Sequence, residues 1–246
     1  MFEKQYKIDS GMCDLEGKLS PYGFFWLLND IMEKNANSYG LGTDYHLARD
    51  LAWILVSYDV HIYDTVKNGD TVIAGTLPYA FKKMYGFRKY RFKDKNGNVL
   101  LKGKAKFVLV NIKTKALVKP PLDMLDKFTD AKKEPASLPF ERIRLKKETV
   151  IESKTLTIGE DLIDVNGHVN NANYIKLATA LIDHDITLPK RVRIEYKKEV
   201  FSNEQITVNL FEDSQTLKYI SIMRDDACCA EIVFEAASWD NETNSV

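Results

Sequence analysis

The chain has no charge to spare. Its 246 residues hold 35 basic and 35 acidic side chains, a formal charge of zero with histidine neutral. A protein that binds nucleic acid by neutralising phosphates carries an excess of Lys and Arg, so that class is excluded, and a charged partner must meet a local patch. Long apolar runs are missing too. No stretch free of Asp, Glu, Lys and Arg exceeds 11 residues, the length reached in Leu19 to Asn29, Thr71 to Phe81 and Val165 to Ile175. That is well short of the ~20 residues a spanning helix needs, so no membrane insertion is expected. The segment Met1 to Ile8 alternates as a strand does and has no apolar secretory core, so nothing there marks the chain for export. Cysteine is scarce. Cys13, Cys228 and Cys229 form an odd set with two members adjacent, which suits neither a disulfide framework nor zinc-ligand spacing. A reducing cytoplasm is the natural location. Only 12 glycines and 7 prolines stand against 45% hydrophobic residues, which indicates a folded protein with a real core.

What is present is a long-period repeat. At an offset of 150, Met12 to Ser20 superimposes on Leu162 to Asn170: Asp14 falls on Asp164, Gly17 on Gly167, and apolar positions coincide. Further along, Phe24 and Leu27 fall on Tyr174 and Leu177. Length allows one large domain or two of about 120 residues, and the repeat decides for two. In the first copy Ser20-Pro21 predicts a helix start, because Ser caps free amides and Pro at the first helical position lacks one. Phe24, Phe25, Leu27, Leu28, Ile31 and Met32 follow at helical spacing, and Gly40 is a natural end. In the second copy Asn170 or Asn171 can cap, and Tyr174, Leu177, Ala178 and Leu181 make one stripe that Ile175 and Ile182 widen.

Strand-like runs follow each helix: Trp53 to Tyr63, Asp70 to Leu77, Tyr85 to Phe92 and Val99 to Ile112 in the first half. In the second they are Arg191 to Val200, Gln205 to Phe211, Leu217 to Arg224 and Cys229 to Ala237. The turns Lys67 to Asp70 and Lys95 to Asn98 separate two of the pairs. Each half thus reads strand, loop, helix, four strands, an α+β layout in which a curved antiparallel sheet wraps a central helix. Lys113 to Glu141, with Pro120, Pro121, Pro135 and Pro139, reads as a linker with one short helix around Leu122 to Phe128. The division is 1–120, a linker at 121–145, and 146–246.

The copies differ in their polar residues. Where the first has Glu16 and Lys18, the second has Asn166 and His168. A carboxylate, an amide and an imidazole in a Gly-bearing loop before a helix are the parts for polarising a carbonyl and activating water. The plain alternative is a loop whose Asp and Asn serve only turn and capping bonds.

The run Asp164-Val165-Asn166-Gly167-His168-Val169-Asn170-Asn171, followed by Tyr174, resembles the signature of the acyl-acyl-carrier-protein (acyl-ACP) thioesterases, and Tyr196-Lys197-Lys198-Glu199-Val200 resembles a second family segment. The resemblance covers essentially the whole chain and implies two tandem hot-dog domains that hydrolyse fatty acyl-ACP, releasing free fatty acid and ending chain elongation. It implies no cofactor and no metal. It assigns catalysis to Asp164, Asn166, His168 and Glu199, and substrate contact to Asn170, Asn171, Tyr174 and Trp26. Its expected chemistry places a thioester carbonyl over free amides at the start of the second helix, with Asn166 helping to hold the oxyanion. His168 and Glu199 deprotonate water, and Asp164 orients the loop or shares the base role. The acyl chain is expected to run into the N-terminal half.

One position departs from the family. Many members have Cys where this chain has Val200, so a Cys-His-Asn mechanism through that position is impossible. Glu199 carries a condition as well. Strict alternation along Arg191 to Val200 places it on the face opposite Val192, Ile194 and Tyr196, unless a bulge near Tyr196 to Lys198 turns it inward.

The acidic carrier protein is the expected partner. Lys82, Lys83, Arg88, Lys89, Arg91 and Lys93 form a run without one acid, and Lys102, Lys104 and Lys106 share a strand face. These lysines could equally be a solvated sheet face. The interleaved Tyr85, Phe87, Tyr90 and Phe92 are expected on the inner face. His46, His61 and His184 show no metal-ligand clustering and read as structural or surface residues. A coenzyme A thioesterase and a non-catalytic acyl-binding double hot-dog remain alternatives, and a homodimer is left open.

Overall fold

The computed structural model describes residues 1–128, 142–144, 149–182, 188–214 and 216–236, with the side chains of 212–214 excepted. His184 and the expected linker prolines Pro135 and Pro139 lie outside the described residues.

The N-terminal half holds strands β1 (Phe2–Lys7), β2 (Leu51–Ile62), β3 (Thr71–Lys82), β4 (Tyr85–Asp94) and β5 (Val99–Asn111), with helices α1 (Pro21–Ser38) and α2 (Thr43–Leu47) between β1 and β2. A short helix, α3 (Leu122–Lys127), follows at the expected place. The C-terminal half holds β6 (Glu152–Thr157), helix α4 (Asn173–Thr179), β7 (Arg191–Tyr196), β8 (Gln205–Ser214), β9 (Leu217–Arg224) and β10 (Ala227–Glu235). All ten strands join one antiparallel sheet in the order β1-β3-β4-β5-β2-β7-β10-β9-β8-β6. The second half repeats the first in mirrored order, and β2 pairs with β7 at the seam from Ser57↔Glu195 to His61↔Arg191. A bidentate pair locks that seam: Nε and Nη2 of Arg191 each donate at 2.8 Å to the carboxylate of Asp59.

The first helix forms for the reasons its sequence gives. Ser20 Oγ accepts from the Gly23 amide at 3.1 Å, Pro21 opens the helix, and Gly40 past its end has φ +65°. Its stripe of Phe24, Phe25, Leu27, Leu28 and Ile31 is fully enclosed. Each such side chain contributes about 1.5–3 kcal/mol relative to exposure. Phe25 meets Tyr58 of β2 edge to face at 5.4 Å, and the same core continues through Tyr174, Ile175 and Ala178 of α4. The second helix is shorter than its apolar stripe suggests. It stops at Thr179, while Leu181 and Ile182 still pack on the core beyond it.

The aromatics of β4 correct the expectation that they share one face. Tyr90 and Phe92 join the central core, whereas Phe87 and Tyr85 pack with Tyr79, Ala80 and Leu77 in a separate cluster. Odd and even positions of one strand point to opposite faces, and Phe87 and Tyr90 differ in parity. No helix of the described residues is long and apolar enough to cross a membrane.

Candidate active site

The repeat persists in three dimensions. Short helical turns at Ser10–Met12 and Glu160–Leu162 lead into loops closed by the bridges Cys13↔Leu19 and Ile163↔Val169. In the second loop the Asp164 amide donates to His168 O and the Gly167 amide to Asp164 O, both at 3.0 Å. Asp164 Oδ1 accepts from the Asn166 amide at 2.8 Å. Gly167 sits at φ +82°, which only glycine adopts freely. A four-residue turn stitched this way pushes Val165 and Asn166 into solvent and directs Asp164 and His168 toward the protein.

His168 ends between two carboxylates. Its Nδ1 is 3.9 Å from Asp164 Oδ1 and its Nε2 is 3.9 Å from Glu199 Oε1. The side chains are 17%, 24% and 56% exposed for Asp164, His168 and Glu199, so the constellation opens to solvent on the glutamate side. Val169 O lies 3.4 Å from Nδ1, an acceptor for a proton on that nitrogen; in that tautomer the Nε2 lone pair faces Glu199.

Glu199 reaches this position through a bulge. The amides of Lys197 and Lys198 both converge on Cys229 O, at 2.8 and 3.2 Å, just past the last β7–β10 pair Tyr196↔Ala230. Two residues opposite one break the alternation, and β7 ends at Tyr196 rather than running to Val200. The segment is then fixed from two sides. Val169 N donates to Val200 O at 2.8 Å, and Nη1 of Arg224 donates to Glu199 O at 3.0 Å and to Glu204 Oε2.

Asn170, Asn171 and Tyr174 build the floor. Asn170 Oδ1 accepts from the Ala172 amide at 2.9 Å, and Asn170 O accepts from the Asn173 amide at 2.8 Å. Asn170 thus occupies two of the amides around the start of α4. Asn173 Nδ2 donates to Leu162 O at 2.9 Å, tying the helix to the loop. Asn171 O accepts from Tyr196 OH at 2.9 Å. Tyr174 is buried, stacks edge-on against Tyr196 at 5.4 Å, and its hydroxyl reaches Lys198 O at 3.4 Å. Burial raises both phenols well above their ordinary range, so both stay protonated donors. Asn29 of α1 spans the two halves: it accepts from Tyr58 OH at 3.0 Å, and its amide faces Asn170 Oδ1 at 3.5 Å. Trp26, on the same helix, is half-buried against the core. Sequence reasoning missed Arg224 and Asn29. Each is a lone polar residue in an ordinary strand or helix pattern, and no local motif marks it.

No thiol competes for the chemistry. Val200 is buried, Cys229 is fully buried, and burial pushes the thiols of Cys228 and Cys229 upward. Among the described residues no cluster of three His, Cys, Asp or Glu has metal-site geometry.

The first copy keeps the loop and loses the chemistry. Asp14 N donates to Lys18 O at 2.8 Å and Gly17 N to Asp14 O at 3.0 Å, but Lys18 Nζ closes on Glu16 at 2.7 Å. Leu19 N meets Val66 O at 2.8 Å as Val169 N meets Val200 O, so Thr65 occupies the place of Glu199. Its hydroxyl merely donates to Leu19 O at 2.8 Å.

The basic run divides. Lys82 and Lys83 are exposed at the β3–β4 turn. Lys89 and Arg91 are half-buried, with Lys89 over the Tyr79 ring at 4.8 Å and Arg91 3.9 Å from Glu3. Register sets Lys89 opposite Lys104 and Arg91 opposite Lys102. Arg88 leaves this face: it is 7% exposed, and Nη1 donates to Asn35 Oδ1 at 2.7 Å inside the fold. A side chain so enclosed cannot dock a partner protein.

Two wrapped helices on one continuous sheet define a tandem hot-dog protein. The family model for the acyl-ACP thioesterase N-terminal domain matches residues 1–128, and that for the C-terminal domain matches residues 145–236. The chain belongs to the acyl-ACP thioesterase family, and it is a thioester hydrolase of fatty acyl-ACP. Its fold is similar to an acyl-ACP thioesterase from Bacteroides thetaiotaomicron, with a TM-score of 0.85 at 16% identity over 95% of this chain and 96% of that one. It is also similar to a 12:0-ACP thioesterase from Umbellularia californica, with a TM-score of 0.83 at 19% identity over 95% and 96%. No curated protein matches the chain in sequence.

Proposed function

We propose that His168, Glu199 and Asp164 hydrolyse the thioester through one held water. The observation that carries this is the 3.9 Å gap between His168 Nε2 and Glu199 Oε1, with Asp164 Oδ1 at the same distance from Nδ1 across the ring. A single water seated beside Nε2 and the Glu199 carboxylate would donate to both. Such a water, with protons toward Nε2 and Glu199, presents its lone pair to a carbonyl carbon lying over the loop. Attack forms the new C–O bond, the proton passes to His168 or Glu199, and the carbonyl oxygen becomes an oxyanion. Asn166, exposed beside the site, supplies the amide donor for that oxygen. Collapse breaks the C–S bond, and the phosphopantetheine thiolate takes the proton back. Asp164 holds the Nδ1 side of the ring and the turn that carries it.

The acyl chain enters the N-terminal half, beside Trp26 and along α1, and the division of labour follows domains at 1–120 and 146–246 joined by 121–145. The acidic carrier docks on Lys82, Lys83, Lys89 and Arg91 with Lys102 and Lys104. Like charges set directly opposite one another across β4 and β5 cost energy that an acidic surface relieves. Three unpaired cysteines suit a reducing cytoplasm, where the enzyme ends fatty-acid synthesis as a monomer or homodimer. The test is hydrolysis of matched ACP and coenzyme A thioesters of varied chain length. Faster turnover of the ACP series with free acid as product supports the reading, and release from neither series removes it.

A further inference from the structure

Residues of α1, α2 and strands β2 to β5 line a partly open pocket of about 60 Å³ in the N-terminal half. Its walls include Met32, Trp53, Phe81 and Phe107, and two polar side chains break this apolar lining, His46 and Arg88. A water occupies about 10–15 Å³ by this measure, so the space takes several non-hydrogen atoms.

Arg88 is enclosed without an acid. Its Nη1 donates to Asn35 Oδ1 at 2.7 Å and Thr76 Oγ1 at 3.1 Å, and no carboxylate pairs with it among the described residues. Its electrostatic neighbours are the phenols of Tyr90, Tyr58 and Tyr39, and burial lowers its proton affinity. Burying a guanidinium among neutral groups is costly, and an apolar side chain of equal length would fit an aliphatic pocket better. Asn35, 1% exposed, has its Nδ2 buried without a partner. His46 supplies the opposite polarity. Its Nδ1 is 2.9 Å from Gly42 O, which fixes the proton there, and its buried Nε2 has no partner. Burial lowers the histidine further, so it remains neutral. Arg88 thus brings donors to the lining, and His46 brings a buried acceptor without a partner. A hydroxyl accepts from the first and donates to the second, while a methyl terminus satisfies neither.

We propose that this cavity selects acyl chains bearing a hydroxyl group, held between Arg88 and His46. The proposal rests on the reading that the acyl chain enters the N-terminal half. The test uses ACP thioesters of saturated chains of one length, with and without a hydroxyl near the methyl end. Wild type should favour the hydroxylated chain by at least ~10-fold in kcat/KM, and the ratio should fall to about one in Arg88→Met. Equal rates in wild type, or a preference that survives Arg88→Met, overturn the proposal. Because Arg88 also joins α1 to the sheet, a second variant guards against misfolding. His46→Phe removes the acceptor alone and should lower the same ratio. Melting temperature read with the free hydroxylated and plain acids separates this claim from hydrolysis. A larger rise with the hydroxylated acid in a protein that cleaves no thioester keeps the pocket and removes the thioesterase site. Equal rises remove the pocket.

Discussion

Nε2 of His168 stands 3.9 Å from Oε1 of Glu199, too far for a direct hydrogen bond and suited to one water between them. Glu199→Gln keeps the shape and removes the negative acceptor that draws the proton. We expect kcat for acyl-ACP to fall about 10²–10⁴-fold with KM nearly unchanged, the range general-base residues contribute. Steady-state kinetics on the purified variant checks this. A loss confined to KM contradicts it.

Arg224 acts through Glu199. Its guanidinium bonds Glu199 O and Glu204 Oε2, and Glu204 Oε2 also accepts from the Phe201 amide at 2.9 Å, so one clamp fixes the turn. Burial alone would raise Glu204, but the Phe201 amide and Arg224 hold it below the usual carboxylate range. Arg224→Ala should lower kcat about tenfold through misplacement of Glu199, with an unchanged KM, and Arg224→Lys should restore part of it. A melting temperature near that of wild type would separate positioning from unfolding.

The sheet seam has a pH dependence of known sign. Burial would raise Asp59, yet the bonds and charge of Arg191 win and depress it. A carboxylate depressed in the folded state stabilises at neutral pH, and that contribution is lost as pH falls below the ordinary Asp value of ~3.9 and through the lower folded value. Asp59→Asn should cost about 1.5–3 kcal/mol at pH 7, the range for charged hydrogen bonds. It should also flatten the fall in melting temperature on acidification, followed by calorimetry between neutral and acid pH. An acid profile identical to wild type argues against the seam.

Much of this was legible in the sequence, and the limits have physical causes. The 150-residue offset holds from β1 against β6 through both loops, because no residues are inserted there. It then breaks: α1 has 18 residues and α4 has 7, so the pairing of Thr65 with Glu199 cannot be found at the same offset. Asp164 and His168 were readable because they lie four residues apart in one turn. Their contact with Glu199 depended on a bulge, which is a backbone event that alternation cannot supply. Arg88 was misread for a related reason. It stands among surface lysines in sequence, but its even position on β4 places it with Tyr90 and Phe92 on the inner face.

The carrier surface predicts a substrate-specific salt effect. Reversing charge with Lys102→Glu and Lys104→Glu should raise KM for acyl-ACP severalfold at low salt and weaken its salt dependence. The same chain on coenzyme A should respond less. Equal effects on both thioesters would move the docking site elsewhere.

Hydrolysis as proposed turns on His168, held between Asp164 and Glu199. Its most direct test is the single-turnover rate of acyl-ACP cleavage by His168→Ala, measured beside the affinity for the same substrate. We expect a rate lower by about 10²–10⁴-fold with affinity within about threefold of wild type. A rate within a few-fold of wild type would contradict it.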